Sequence, residues 1–242
     1  MSAYRIRELA ETKSTNDDAK LAAEKGEPEG LVIWAKKQTT GRGRHGRIWE
    51  SPEGNLYASI LLRPECAPAH APGYGFAASL AIRDAVHAVV PGVYVKLKWP
   101  NDVLADGKKI SGMLLEAAPA KKGVIDWLVI GIGVNVNYHP DNMIYPAISL
   151  QAMLAPVEPK ILLDHLLERF AHWKEVLENQ GFSAIRTAWL EHAQKGEVSV
   201  RLADRVIEGK FSDIDADGNL MLQLADGSNK AIAAGDVFPL SP

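Results

Sequence analysis

Cysteine is nearly absent from this sequence. One residue, Cys66, is present among 242 positions, which excludes an intrachain disulfide and a cysteine-built metal cage. No uninterrupted apolar run approaches the roughly 20 residues needed to cross a bilayer. The first residues, Met-Ser-Ala-Tyr-Arg-Ile-Arg-Glu, lack the apolar core of a signal peptide, so a cytoplasmic location is expected, with no membrane partner. Charge of neither sign is in excess: 27 Lys and Arg against 30 Asp and Glu give a net charge of −3, which does not mark a nucleic-acid binder. Familiar chemical motifs are missing as well. There is no Gly-Lys-Ser/Thr ending of a P-loop and no Gly-x-Ser-x-Gly elbow. The pair Gly131-Ile132-Gly133 lacks the third glycine of a dinucleotide fingerprint, and the seven histidines form no metal-binding spacing.

What is present is an ordinary globular balance, 47% hydrophobic and 24% charged, in a chain long enough for one large unit plus one small one. Residues 4–9 read as a short strand. Ser14, Thr15 and Asn16 offer capping oxygens ahead of a helix ending at Gly26. Gly30 to Lys36 and Asn55 to Leu62 read as buried strands, and Pro64 to Pro72 as a surface connection. Gly75 to Val90 carries apolar residues at helical spacing. Val93 to Trp99, Val103 to Ala105 and Lys108 to Glu116 read as strands, with a tight turn at Asp106-Gly107. Trp127 to Val136 is nearly continuously apolar and belongs in the middle of a sheet, its glycines marking close backbone packing. Residues 138–158 look irregular, and Pro159 opens a helix reaching about Glu178, followed by a shorter one to about His192. From about Gly196 the pattern changes to four short strands, Glu197–Leu202, Arg205–Phe211, Leu220–Leu224 and Lys230–Ala234. The expected architecture is therefore α/β (α+β): a mixed central sheet flanked by helices over residues 1–193, then a small SH3-like β-barrel over 196–242.

The densest chemistry lies in residues 37–49, where Gly41, Gly43 and Gly46 interleave with Arg42, Arg44 and Arg47 before Trp49. Glycine at this density permits backbone that other residues avoid, and arginine presents a planar fork suited to phosphates and carboxylates. The stretch reads as a mobile loop able to wrap an anion, with an indole beside it to stack on a base. A solvated basic turn, or an arginine-glycine segment gripping RNA, fits the same letters. Elsewhere, too, plainer readings stand beside the chemical ones. Ser14 to Asn16 serve as a helix cap, Lys109 as a solvated charge beside a turn and Asp102 as a turn cap. Trp99 and Trp127 fit a core, and Asn135 and Asn137 the end of a strand.

Four segments taken together decide among these. They are Ser14-Thr15-Asn16; Gln38 with Gly41 to Trp49; Lys98-Trp99-Pro100-Asn101-Asp102 with Lys109-Ile110-Ser111-Gly112; and Gly131 to Asn137. As a set they closely resemble the biotin protein ligase family over essentially the whole chain. The resemblance implies ATP-dependent adenylation of biotin, with Mg²⁺, followed by transfer to a lysine on the carboxyl carrier domain of a biotin-dependent carboxylase. It implies biotin contacts from Ser14, Thr15, Asn16, Gln38, Arg42, Gly43, Arg44, Lys109 and Gly112. ATP and adenylate contacts fall to Arg44, Arg47, Trp49, Asn101 and Asn135, and catalysis to Lys109, Arg44 and Asp102. Asp102 also offers an oxygen for Mg²⁺. A lipoate or octanoate ligase shares the implied fold and stands as the alternative within this class; a non-catalytic RNA-binding module is the alternative outside it. His45 departs from the family's usual basic residue in the loop. Thirteen residues precede Ser14, so the short class without a DNA-binding domain is expected. A homodimer through sheet edges is consistent with the family.

Overall fold

The computed structural model of the chain describes residues 4–141, 145–153 and 156–240. The first half runs β1 (Arg5–Thr12), α1 (Thr15–Glu24), β2 (Leu31–Gln38), β3 (Leu56–Leu62), α2 (Ala71–Val89), β4 (Val95–Lys98), β5 (Asp102–Ala105), β6 (Lys108–Ala117) and β7 (Leu128–Val134). The second half adds α3 (Leu150–Met153), α4 (Pro159–Gln180), α5 (Phe182–Glu191), β8 (Glu197–Arg201), β9 (Val206–Ile214), β10 (Leu220–Gln223), β11 (Asn229–Ile232) and β12 (Asp236–Pro239).

Seven strands form one sheet in the order β1-β2-β3-β7-β6-β5-β4. Only β1 and β2 run parallel, joined by the crossover helix α1 that a parallel pair requires. The remaining neighbours are antiparallel. Every residue of β3 is buried, as a central strand covered on both faces must be. Helix α1 covers one face, packing Ala19, Ala22 and Ala23 against Leu31, Ile33, Leu61 and Val129. Helices α2 and α4 lie across the other face, and their apolar stripes merge with the sheet into the main core. Strand β7 sits fourth of seven, paired with β3 and β6, as its apolar run demanded.

Residues 197–239 fold as a five-stranded antiparallel sheet of SH3-like kind, ordered β11-β10-β9-β8-β12. The sequence suggests four of these strands. The fifth, β12, is four residues long and ends on Pro239, which hides it from any test of alternation. The main core continues into this small sheet through Phe76, Trp189 and Phe211, with ring centroids 5.1 and 6.3 Å apart. Trp99, buried as expected, donates its indole N–H to the Gly218 carbonyl at 2.9 Å. Trp127 is buried too.

Two boundaries shift for physical reasons. Helix α2 starts at Ala71 rather than Gly75, because Pro72 occupies its first turn, where a missing N–H costs nothing. Helix α1 starts at Thr15 with Ser14 in the N-cap position, yet the Ser14 side chain makes no capping bond. The first-turn donor goes elsewhere: Thr15 N–H reaches Gln38 Oε1 on β2 at 2.9 Å. Among the described residues of the stretch 138–158, the regular element is the single turn α3, and part of that expectation lies outside the described residues.

Candidate active site

The site is laid on a floor of glycines. Gly131 and Gly133 are two residues apart on β7, so they face the same side of the sheet. Gly112 on β6 pairs with Gly133 in register. A Cβ on Gly131 would lie 2.1 Å from Asn16 Oδ1, and one on Gly133 would lie 2.6 Å from the Trp49 indole nitrogen. A Cβ on Gly112 would stand 3.2 Å from both Lys109 Nζ and Trp49. The glycines are there because the start of α1 and the Trp49 ring rest directly on the backbone.

Above Gly131 a polar set gathers. Thr15 Oγ1 donates to Gln38 Oε1 at 3.1 Å, and Gln38 Nε2 donates to Ser51 Oγ at 3.0 Å. Ser59 Oγ lies 2.8 Å from Thr15 Oγ1 and 2.6 Å from Asn16 Oδ1. Asn16 Nδ2 donates to Glu116 Oε2 at 2.8 Å, and Lys20 Nζ holds the other carboxylate oxygen at 2.6 Å. Ser14, Thr15, Asn16, Ser51 and Ser59 are all buried. Ser51, Ser59 and Glu116 join the set unannounced by any motif: Ser59 and Glu116 lie in or at the end of apolar stretches, and Ser51 in the polar run Glu50 to Glu53.

The arginine-glycine loop closes on itself as a narrow hairpin. Arg42 bridges Ile48, Gly43 N–H donates to the Arg47 carbonyl at 2.7 Å, and Trp49 N–H donates to the Gly41 carbonyl at 2.9 Å. Its tip needs two left-handed residues, His45 at φ 55° and Gly46 at φ 71°. The three arginines diverge. Arg42 makes a bidentate pair with Asp17 on α1, at 2.7 and 2.6 Å, and that guanidinium holds the Asp17 carboxyl down to about 2. Arg47 makes a bidentate pair with Asp236 on β12. Only Arg44 turns inward, with Nη1 3.4 Å from Asn101 Oδ1. Burial lowers the Arg44 pKa, although a guanidinium keeps its charge in proteins. Instead of three arginines crowding one anion, the loop sends one cation inward and fastens its two arms to carboxylates.

The turn after β4 supplies the rest. Asn101 Nδ2 donates to the Met113 carbonyl at 2.5 Å. Asp102 is buried between two ammonium groups, Lys109 Nζ on Oδ1 at 2.5 Å and Lys98 Nζ on Oδ2 at 2.9 Å. Burial alone would raise the Asp102 pKa; Lys109 and Lys98 outweigh it and hold it below its ordinary value. Both Asp102 oxygens are thus taken by lysines. Among the described residues no three His, Cys, Asp or Glu side chains are grouped to hold a metal ion. Lys109 also lies 5.3 Å from the Trp49 ring centroid. Asn135 is buried, its Nδ2 held by the carbonyls of Lys109 at 3.4 Å and Ile148 at 3.2 Å. Gly43, at the loop's start, has open space on its Cα apart from the Arg47 carbonyl at 3.7 Å. Asn16, Trp49 and Lys109 thus rest on one glycine floor, Thr15, Gln38, Asn101, Asp102 and Arg44 are linked to it through hydrogen bonds and ion pairs, and Arg42 and Arg47 are turned toward Asp17 and Asp236. A cleft of about 330 Å³ between α1 and β1, lined by Arg7, Asp18, Leu21, Lys25 and Glu27, lies apart from them.

Residues 9–135 match the model of the biotin/lipoate A/B protein ligase family, and residues 197–238 match the biotin protein ligase C-terminal domain. A biotin--[acetyl-CoA-carboxylase] ligase from Paracoccus denitrificans is 38% identical over 95% of this chain and 98% of its own length. The chain belongs to the biotin protein ligase family. Another relative, the biotin--[acetyl-CoA-carboxylase] ligase of Mycobacterium tuberculosis, is 35% identical over 96% of the chain and 88% of that protein. The Aquifex aeolicus biotin protein ligase, solved in complex with biotin and ATP, superposes with a TM-score of 0.80 at 28% identity, covering 97% of each chain. The small C-terminal sheet is thus the characteristic second part of a biotin protein ligase. Among the described residues, no helix of this ligase is long and apolar enough to cross a membrane.

Proposed function

We propose that this ligase joins biotin to protein in two steps on the glycine floor. A biotin carboxylate oxygen attacks the α-phosphorus of ATP, the bond to the bridging oxygen breaks, and pyrophosphate leaves. The lysine amine of a carboxyl carrier domain then attacks the acyl carbon of biotinyl-5'-AMP, AMP leaves with the bonding pair, and the nitrogen releases a proton to solvent as the amide forms. Two anions must meet in the first step, and preorganised positive charge is the largest aid to such a step. Lys109, set against Asp102, and Arg44, set against Asn101, supply it. That inward pair of cations, beside the polar set of Thr15, Asn16 and Gln38, is the observation that carries the reading.

Biotin's ureido ring asks for a few placed hydrogen-bond partners in an apolar pocket, and Ser14, Thr15, Asn16 and Gln38 are assigned to it. Trp49 and Asn135 are assigned to the adenylate end. Mg²⁺ arrives with ATP as part of the substrate. The mixed anhydride hydrolyses readily, so the loop's closure over the floor serves to exclude water. The paired state of Arg42 and Arg47 disfavours a loop built to grip RNA, since their charges are already met. Division into a catalytic unit over 1–193 and a second unit over 196–242 is part of this proposal, as is a cytoplasmic location. If two chains pair edge to edge, β1 is the open edge: Leu97 of β4 is already bonded to His192 and Gln194 at 2.8 and 2.7 Å. The test is incubation with ATP, Mg²⁺ and either biotin or lipoate, read by mass spectrometry. Biotinyl-5'-AMP, and a carrier domain gaining one biotin, are expected; a lipoyl product alone would overturn the assignment.

A further inference from the structure

Two lysines are spent on one carboxylate here, and the chemistry above uses only one of them. Lys98 is 7% exposed, its Nζ lies 2.9 Å from Asp102 Oδ2, and it stands 4.6 Å from the centroid of the Tyr145 ring. Lys109 holds the other Asp102 oxygen, and its side chain is 26% exposed against 9% for that of Lys98. A solute therefore reaches Lys109 and not Lys98. Burying an ammonium costs desolvation even when it is paired, so the chain maintains Lys98 at some expense to stability. The charge count shows what it gains. Lys98, Asp102 and Lys109 together carry one net positive charge. Without Lys98 the remaining pair is neutral, and an incoming carboxylate at Lys109 competes with Asp102 for a single ammonium.

We propose that Lys98 is a positioning residue that neutralises Asp102, leaving the charge of Lys109 uncompensated for the substrate carboxylate. The Asp102 carboxylate then serves to aim Lys109 without cancelling it. This inference rests on the ligase reading, which assigns Lys109 to the biotin carboxyl.

The experiment compares the binding of biotin with that of biotinol, the neutral alcohol in which CH₂OH replaces the carboxylate, by isothermal titration calorimetry on the full chain. Lys98→Met is expected to reduce the preference for biotin over biotinol by about tenfold, the size of one charge-assisted hydrogen bond. Lys98→Arg, which keeps the charge, is expected to hold the preference within about threefold of wild type. Lys98→Gln, which keeps a hydrogen-bond donor toward Asp102 but not the charge, is expected to reduce the preference as Lys98→Met does. It carries the test if Lys98→Met does not fold. An unchanged preference in either neutral variant that folds, or equal weakening of both ligands, would overturn the proposal. If the wild-type chain binds biotin and one of these results follows, this proposal alone fails. If the wild-type chain binds neither ligand, the ligase reading fails with it.

Discussion

Gly131 and Gly133 allow the two halves of the site to be perturbed separately. They lie two residues apart on one strand, about 7 Å by the rise of an extended chain, and each supports a different group. Alanine at 131 would place its methyl 2.1 Å from Asn16 Oδ1 and 2.8 Å from Asn16 Cγ. An ordinary contact needs about 3.4 Å, so the amide must retreat by about 1.3 Å. Strand β7 cannot yield instead, since it is bonded on both sides, Gly131 pairing with Ser59 and Leu114. The retreat breaks the contacts of Asn16 with Ser59 and Glu116. Alanine at 133 leaves Asn16 alone and meets the Trp49 ring at 2.6 Å, forcing a shift of about 0.8 Å on the indole and the loop behind it. Displacements near 1 Å cost up to about 10²-fold in reactions that depend on placement. Gly131→Ala is therefore expected to raise the KM for biotin by about 10- to 100-fold with little effect on ATP, and Gly133→Ala to do the reverse. Initial rates of pyrophosphate release, with each substrate varied in turn, measure both. Overpacking costs about 1–3 kcal/mol, so thermal melts accompany the kinetics to confirm that each variant is folded. If both variants raised the same KM, Asn16 and Trp49 would not serve separate substrates and the division of the floor would be wrong.

Three further outcomes are expected. Lys109→Ala should slow adenylate formation by on the order of 10²-fold or more, as loss of one preorganised charge does. The fold should persist because Asp102 keeps Lys98; near-normal pyrophosphate release would remove Lys109 from the chemistry. Asp236→Asn should free Arg47 from the small sheet and speed tryptic cleavage after Arg44 and Arg47 several-fold, followed by mass spectrometry; unchanged cleavage would show that Asp236 does not hold the loop. The Asp17 carboxyl, lowered from 3.8 to about 2 by Arg42, is ionised in the folded chain down to lower pH than in the unfolded one. Its contribution to stability is thus whole above pH 3.8 and is lost as pH falls toward about 2. The pair is 35% and 44% exposed, so solvent screening keeps the effect below about 1 kcal/mol. Thermal midpoints of wild type and Asp17→Asn should converge across that window, and a constant difference would deny the pairing.

What could be read from the letters alone is whatever repeats at short range. Helices α2 and α4 declare themselves through apolar spacing, and β7 through an unbroken apolar run in which two glycines mark a close approach. Lys109, Arg44 and Asp102 were legible as candidates because their segments lie in distinctive company. Their partners were not. Arg42 finds Asp17 at a separation of 25 residues, and Arg47 finds Asp236 at 189. No local period connects such pairs, so the loop read as one cluster of positive charge when it folds as one inward cation between two fastened arms. Likewise Ser14 looked like a cap because that position favours an oxygen, yet its side chain makes no capping bond, and Gln38 on β2 accepts the first helical N–H, that of Thr15. Lys98 was the hardest to see. It falls on the alternation of a four-residue strand, beside a tryptophan and a proline that draw the eye. Its meaning is a sum of charges over three residues brought together only when β4, β5 and β6 pair. Local pattern builds the floor, and the electrostatics above it follow from contacts between distant parts of the chain. A substitution at Lys98 that removes the charge should therefore change which ligands the site accepts, even where it respects strand propensity in every way.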